Sequence, residues 1–354
     1  MTPLARRPSG RPGFGPKRGR AEPVELKVER NPARGFTTPE AAAIAGRLRA
    51  NVERALRGKP EIVRRTVEAL LAGGHLLLED VPGVGKTTLA QALARSIDGS
   101  FRRIQFTSDL LPGDILGASL PEDTGPGGRR RLVFHPGPIF ASVVLADEIN
   151  RASPKAQSAL LEAMAEGFAT VEGTTHPLPR PFFVIATQNP LEHHGTHPLP
   201  ESQLDRFLMR LAIGYPDPED EAAVLREDPA ASELPRLAPV LDTAELAALQ
   251  RAAAGVKFED SLVNYLLQIT RETRSHESVE IGVSPRGAIA LRRAAQARAL
   301  VEGRDFCIPE DIRDLGVDVL AHRIQLDARS GRAPGREEAA WIIREILDQV
   351  PVPL

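Results

Sequence analysis

The stretch His75-Leu76-Leu77-Leu78-Glu79-Asp80-Val81-Pro82-Gly83-Val84-Gly85-Lys86-Thr87-Thr88 decides the fold. Leu76–Leu78 is a short unbroken apolar run, the pattern of a strand buried on both faces of a parallel sheet. Beyond it, Leu89, Leu93 and Ile97 recur at i, i+4 and i+8, one face of a helix. Strand, glycine-rich turn and helix in that order make the context of a phosphate loop. Gly83 and Gly85 let backbone N–H groups approach an anion with no Cβ in the way, and the helix start adds its positive end. Lys86 reaches the β- and γ-phosphates of ATP, and the Thr87 hydroxyl can hold Mg²⁺. Pro82, Val84 and Thr88 complete the nucleotide-binding segment. The strict pattern begins with glycine; here that position is Asp80, and the flanking strand and helix carry the reading.

Working outward, similar apolar runs recur at Val143–Ala146 and Phe182–Thr187, with helical stretches between them. Strands alternating with helices predict an α/β sheet packed by helices on both faces. The first run ends in Asp147-Glu148, at the strand end where open α/β sheets place ligand-facing groups. Asp147 would support Mg²⁺ through water and Glu148 would activate the attacking water. The second run ends in Thr187-Gln188-Asn189-Pro190, whose amides can meet water or a γ-phosphate oxygen without adding charge; Asn-Pro is also an ordinary turn starter.

The flanks read differently. Residues 1–35 form a basic tail, with six Lys/Arg and no acid in the first twenty, frequent Gly and Pro, and little apolar periodicity, so disorder is expected there. A core is expected over 36–217. Past the helix-breaking Tyr215-Pro216-Asp217-Pro218, strands should disappear. Helices are expected there at Glu219–Arg226, Thr243–Ala254, Ser261–Arg271, Pro285–Leu300, Pro309–His322 and Glu337–Leu347, an all-helical unit over 218–354. Ser284 and Pro285 suit N-cap and N1, which places Arg286 in the first turn of its helix. Leu204, Phe207, Leu208 and Leu211 form an apolar-periodic set that would bury one face of a helix and leave Arg206 exposed.

Composition narrows the function classes. The 354 residues carry 45 Lys+Arg against 47 Asp+Glu, a formal charge of −2, with 42% hydrophobic residues. This is ordinary globular usage with no bulk attraction to nucleic acid or lipid. No apolar run reaches the ~18 residues of a membrane helix, so membrane insertion is not expected. The N-terminus lacks an apolar signal core and Cys307 is the lone cysteine, so a cytoplasmic protein without disulfides is expected.

Val81–Thr88, Asp147-Glu148-Ile149-Asn150-Arg151, Ala186-Thr187-Gln188-Asn189-Pro190 and Leu199-Pro200-Glu201-Ser202-Gln203-Leu204-Asp205-Arg206-Phe207 form an ordered set. Val283-Ser284-Pro285-Arg286-Gly287 and Gly303-Arg304-Asp305 extend it. The set resembles the MoxR family of AAA+ ATPases over roughly residues 40–325. The resemblance implies an AAA+ core with a parallel five-stranded sheet and hairpin inserts, a helical lid, and a ring homo-oligomer, commonly a hexamer, with ATP sites between subunits. It also implies Asn189 as sensor 1, Arg286 as the lid's sensor 2, and Arg206 as the arginine finger given to the neighbouring subunit. The chemistry implied is Mg²⁺-dependent ATP hydrolysis that remodels a client protein, often one with a von Willebrand factor A domain.

The inserts are read as a hairpin around Gly173 (Phe168–Glu172 with Thr174–Leu178), and as Ile115–Leu120 and Arg131–Phe134 flanking the turn Glu122–Gly128. The resemblance implies that such inserts face the ring's pore or a partner. The imidazoles of His193-His194-Gly195-Thr196-His197 could suggest a metal, but the run sits in a Gly/Pro-flanked loop and reads as a polar interface segment. Cys307, between Phe306 and Ile308, reads as a buried apolar residue, and Trp341 with Ile342, Ile343 and Ile346 as a terminal helix docked on the lid. Two other functions compete: a nucleic-acid motor, which strong stimulation by DNA would favour, and a nucleotide-binding scaffold without turnover.

Overall fold

The computed structural model describes residues 35–123, 130–189, 195–327 and 335–353. In chain order these form α1 (Thr38–Ala55), α2 (Pro60–Leu71), β1 (Leu76–Glu79), α3 (Lys86–Ser96), β2 (Ile97–Asp98), β3 (Phe101–Gln105), α4 (Pro112–Leu116), β4 (Gly117–Asp123), β5 (Arg130–Pro136), β6 (Val143–Asp147), α5 (Pro154–Glu166), β7 (Phe168–Val171) and β8 (Thr174–Pro177). There follow β9 (Phe183–Gln188), α6 (Glu201–Leu204), β10 (Met209–Leu211), α7 (Pro218–Glu227), α8 (Pro229–Ser232), β11 (Leu241–Asp242), α9 (Thr243–Ala254), α10 (Asp260–Ser275), β12 (Val279–Ile281), α11 (Pro285–Val301), α12 (Pro309–Leu320), β13 (Gln325–Leu326) and α13 (Arg336–Gln349). The basic tail (residues 1–34), most of the Glu122–Gly128 turn, and His193 and His194 lie outside the described residues.

Five parallel strands form the central sheet in the order β10-β1-β9-β6-β3. Because side chains alternate along a strand, the inner strands β1, β6 and β9 each feed two apolar cores. Leu76, Leu78, Val143, Leu145, Phe183 and Ile185 face α1, α2, α3 and the helices from α9 onward. Leu77, Val144, Ala146, Val184 and Ala186 face the other way, towards α5. Burial on both faces is why these strands read as unbroken apolar runs.

Two hairpins project from this frame. β4 pairs with β5, and β7 with β8 through Glu172 (φ 51°) and Gly173 (φ 80°), the left-handed pair a two-residue hairpin turn requires. Phe134 on β5 stacks on His176 on β8 with ring centroids 3.8 Å apart, and Phe140 meets Phe134 edge-on at 5.6 Å.

The predicted helices of the C-terminal part form with small shifts of their ends. The main apolar core runs continuously from α1 and the sheet into α9–α13. Arg293 of α11 donates to the carbonyls of Ala72 and Gly73 and so caps the end of α2. Three readings need correction. Strands persist past residue 217 as the short β11, β12 and β13. Ile115 and Leu116 belong to helix α4, with β4 beginning only at Gly117. The apolar set Leu204–Leu211 is no single helix: α6 ends at Leu204, a turn follows, and Met209–Leu211 joins the sheet as β10. Among the described residues no helix is long and apolar enough to cross a membrane.

Candidate functional site: a phosphate loop at one sheet edge and three arginines at the other

The loop after β1 has the predicted backbone. Gly83 (φ 86°) and Gly85 (φ 97°) are both left-handed, and α3 starts at Lys86. Nothing lies within 4 Å of where a Gly83 Cβ would stand, so its outer face is open, whereas a Gly85 Cβ would press on Leu56 at 2.7 Å. Pro82 is exposed, Val84 anchors the loop in the core, and Thr87 and Thr88 are half-buried. Lys86 Nζ donates to the Asp80 carbonyl at 2.6 Å, which folds the ammonium back over the loop. Asp80, the departure from the glycine pattern, has a structural use. Its carboxylate accepts from the N–H of Val81 (2.8 Å) and from the N–H of Gly214 (2.6 Å), tying the loop to the chain leaving β10. Lys59 Nζ donates to the Tyr215 carbonyl beside it.

The acidic pair stands two strands away on the same edge. Asp147 Oδ2 accepts both Arg103 Nη2 (2.6 Å) and Nε (3.1 Å), and its Oδ1 accepts the Thr187 hydroxyl (2.6 Å). Glu148 has a left-handed backbone (φ 57°); its N–H donates to Thr187 Oγ1, and its carboxylate takes Gln105 Nε2 at 2.8 Å and Arg151 Nε at 3.2 Å. Asn189 is buried at the tip of β9, between the loop strand and the acidic strand, where its carbonyl accepts Asn150 Nδ2. The oxygen donors of Thr87 and Asp147 fit a hard divalent cation in character. Lys86, Thr87, Asp147, Glu148 and Asn189 therefore share one edge.

The predicted arginines do not join them. Arg206 lies in the turn before β10, whose first residue pairs with Leu76, while the Leu208 N–H donates to the His75 carbonyl. That is the opposite edge, about 10 Å away along β1 at ~3.3 Å per residue, before the loop itself is counted. Arg206 is also half-buried, contrary to the expected exposure: Nη1 donates to the Leu161 carbonyl at 2.9 Å, and Nε finds no hydrogen-bond partner among the described residues. Arg286 sits in the first turn of α11 as expected, with Ser284 Oγ accepting the Gly287 N–H. It is exposed and stands 3.9 Å from Asp205, next to Arg206. Within one chain Arg286 therefore stands beside Arg206 at the strand starts, away from the phosphate loop.

Several contributors escaped the sequence reading. Arg103 and Gln105 sit on β3, whose Arg103↔Leu145 and Gln105↔Asp147 register puts them against the acids. Arg323, buried behind the Arg206 turn, donates to Asp205, Phe207 and Leu208. Nothing local in Phe101-Arg102-Arg103-Ile104-Gln105 marks Arg103 or Gln105, and only the pairing of β3 with β6 reveals their use. Cys307 is buried as expected, and desolvation pushes its thiol up to about 12, out of reactive range. Ile342, Ile343 and Ile346 dock α13 on the core, and Trp341 is partly exposed.

Residues 75–209 match the ATPase family associated with various cellular activities (AAA), and residues 271–346 match an AAA lid domain. The chain is similar to the uncharacterized protein YeaC of Bacillus subtilis, 48% identical over 88% of this chain and 95% of that protein. It is similar to chaperone MoxR1 of Mycobacterium tuberculosis (43% identical; 78% and 74% covered) and to protein MoxR of Methylorubrum extorquens (31%; 87% and 95%). A crystal structure of a Cytophaga hutchinsonii protein classed as an ATPase superposes with a TM-score of 0.80 at 34% identity, over 90% of this chain and 97% of that one. Family matches over both the sheet and the helices, and relatives matched along most of their length, place this chain in the MoxR-type AAA ATPases.

Proposed function

We propose that this ATPase works as a ring of identical subunits in which each ATP is held by one subunit and completed by the next. The observation that carries the reading is the division of the site between the two sheet edges. The phosphate loop, Asp147, Glu148 and Asn189 lie on one edge, and Arg206 and Arg286 on the other, so a second copy must bring its arginines to the first copy's nucleotide. Such a head-to-tail contact is heterologous and closes into a ring when the rotation per step allows it; a hexamer is our expectation.

In this reading Gly83, Gly85 and the start of α3 cradle the phosphates, with Pro82, Val84 and Thr88 shaping the loop, and Lys86 leaves the Asp80 carbonyl for the β- and γ-phosphates. Thr87 and Asp147 would hold Mg²⁺, which supplies charge neutralisation at the phosphates when bound. Glu148 takes the proton from the attacking water, and Asn189 orients that water or a γ-oxygen. Arg206 and Arg286 of the neighbour stabilise the charge that develops, a contribution on the order of 10³–10⁵ in rate for arginine fingers in GTPases. Arg206 must first leave the Leu161 carbonyl, so assembly switches hydrolysis on. The work done is chaperone-like remodelling of a client protein, by likeness to the protein named chaperone MoxR1. A client with a von Willebrand factor A domain is our candidate, and Leu120 and Leu132 on the first hairpin offer exposed apolar contacts.

The test is ATP turnover per subunit against protein concentration. Turnover should rise steeply as rings form, vanish on chelation of divalent cations, and drop at least about 10²-fold in Glu148→Gln with ATP binding retained. Turnover per subunit that is independent of concentration would overturn the divided site. Affinity capture with Glu148→Gln and ATP should hold the client; strong stimulation by DNA, steeply salt-dependent, would redirect the reading to nucleic acid.

A further inference from the structure

The geometry points to Arg323 as the positioning residue for Arg206: a guanidinium from the helical part of the chain that fixes the turn carrying the finger. This rests on the reading of Arg206 as a residue acting on the neighbour's nucleotide. Arg323 follows α12 in a short 3₁₀ turn, and its side chain is 2% exposed. Nε donates to Asp205 Oδ1 at 2.8 Å, and Nη2 to the carbonyls of Phe207 (2.5 Å) and Asp205 (3.3 Å). Nη1 donates to Leu208 O at 3.2 Å and to Val319 O. The neighbouring His322 Nε2 meets the Phe207 carbonyl at 3.1 Å. One planar fork therefore takes up three backbone carbonyls and one carboxylate of the segment Asp205–Leu208, with Arg206 in its middle.

The arrangement is built for this use. Gly287 in the first turn of α11 lacks the Cβ that would stand 2.8 Å from Arg323 Cδ, so the arginine passes through the gap the glycine leaves. Arg286, one residue earlier, stands on the other oxygen of the same Asp205 carboxylate. A tight turn with three carbonyls directed at one buried cation has little freedom, because each displaced carbonyl would lose a charge-assisted hydrogen bond in a dry site. Lysine cannot replace the fork: it is a single point donor without the planar spread. Arg323 touches neither ATP nor any reacting atom in this scheme. It acts by holding Arg206 and Arg286 on one rigid mount, so that movement of the helical part moves both together.

The test is subunit mixing with full-length protein. Arg323→Lys assemblies should bind ATP with wild-type affinity but hydrolyse it about 10²-fold more slowly, the scale of a 1 Å misplacement. Mixed with Glu148→Gln subunits, which keep an intact finger, they should recover roughly a quarter of wild-type turnover, the share of random interfaces joining an intact site to an intact finger. Mixed with Arg206→Ala subunits they should recover nothing. Equal recovery in both mixtures, or wild-type turnover by Arg323→Lys alone, would overturn the assignment. Arg206→Ala mixed with Glu148→Gln is the control: no recovery there would remove the neighbour-acting reading itself. If Arg323→Lys does not fold, Gly287→Ala, which presses on Arg323 without removing it, should behave the same way in the two mixtures.

Discussion

Asp80 stands where a strict phosphate loop has glycine, and its two backbone hydrogen bonds explain why. Restoring the pattern with Asp80→Gly should weaken ATP binding and lower stability by about 1–3 kcal/mol, the cost of leaving bonded N–H groups without their charged acceptor. Nucleotide titration and chemical denaturation would read both effects, and improved binding would count against this role. His75 makes a different statement. Its ring accepts the Val184 N–H on Nδ1 and faces the Met164 carbonyl through Nε2, so only the neutral ring fits. Burial holds its pKa down to about 4 from an ordinary 6.5, and His322 is held well below 6.5 by burial and by Arg323. A depressed folded-state pKa means stability is complete above about pH 6.5 and is lost as pH falls towards 4. The His75 share amounts to about 2 kcal/mol by pH 5. Denaturation at pH 7 and pH 5 should show that loss, and His75→Gln should flatten it.

At the scale of elements, α2 is held by charges as well as by its apolar face. Glu68 is fully buried and takes Arg65 Nη1 at 3.1 Å, while Arg65 reaches Asp318 and the Asp314 carbonyl on α12. Glu68→Ala removes the one fully buried carboxylate on Arg65, which keeps Glu61 and Asp318, and should cost about 1–3 kcal/mol in denaturant unfolding; a loss under about 0.5 kcal/mol would mean the remaining carboxylates hold the cation by themselves. Elements whose cause is local were legible in the amino-acid order. Gly83, Gly85 and Lys86 sit within a few residues of the strand and helix they join, and Ser284-Pro285 starts α11 as caps do. The segment from Leu204 to Leu211 was not legible. Its apolar spacing suits a helix, but the pull of β1 on Met209–Leu211 and of Arg323 on Asp205–Leu208 comes from far along the chain. The partner of Asp147 was hidden for the same reason, since Arg103 meets it only when β3 pairs with β6.

At the scale of the molecule, one apolar core joins α1 and the sheet to α9–α13, with Arg293 capping α2 and Arg336 of α13 donating to the Glu79 carbonyl at the root of the phosphate loop. The two halves should therefore unfold together, in a single calorimetric transition whose van't Hoff and calorimetric enthalpies agree. Two separated transitions would mean that the shared core is not cohesive. The hairpins stand outside this core, and a two-stranded ribbon is marginal by itself in water. Each has the other for support through the Phe134–His176 stack. An alanine scan of that surface will consequently report on the pair: loss of His176 should loosen the β4–β5 ribbon, and a defect mapped to one hairpin can have its contact residue on the other.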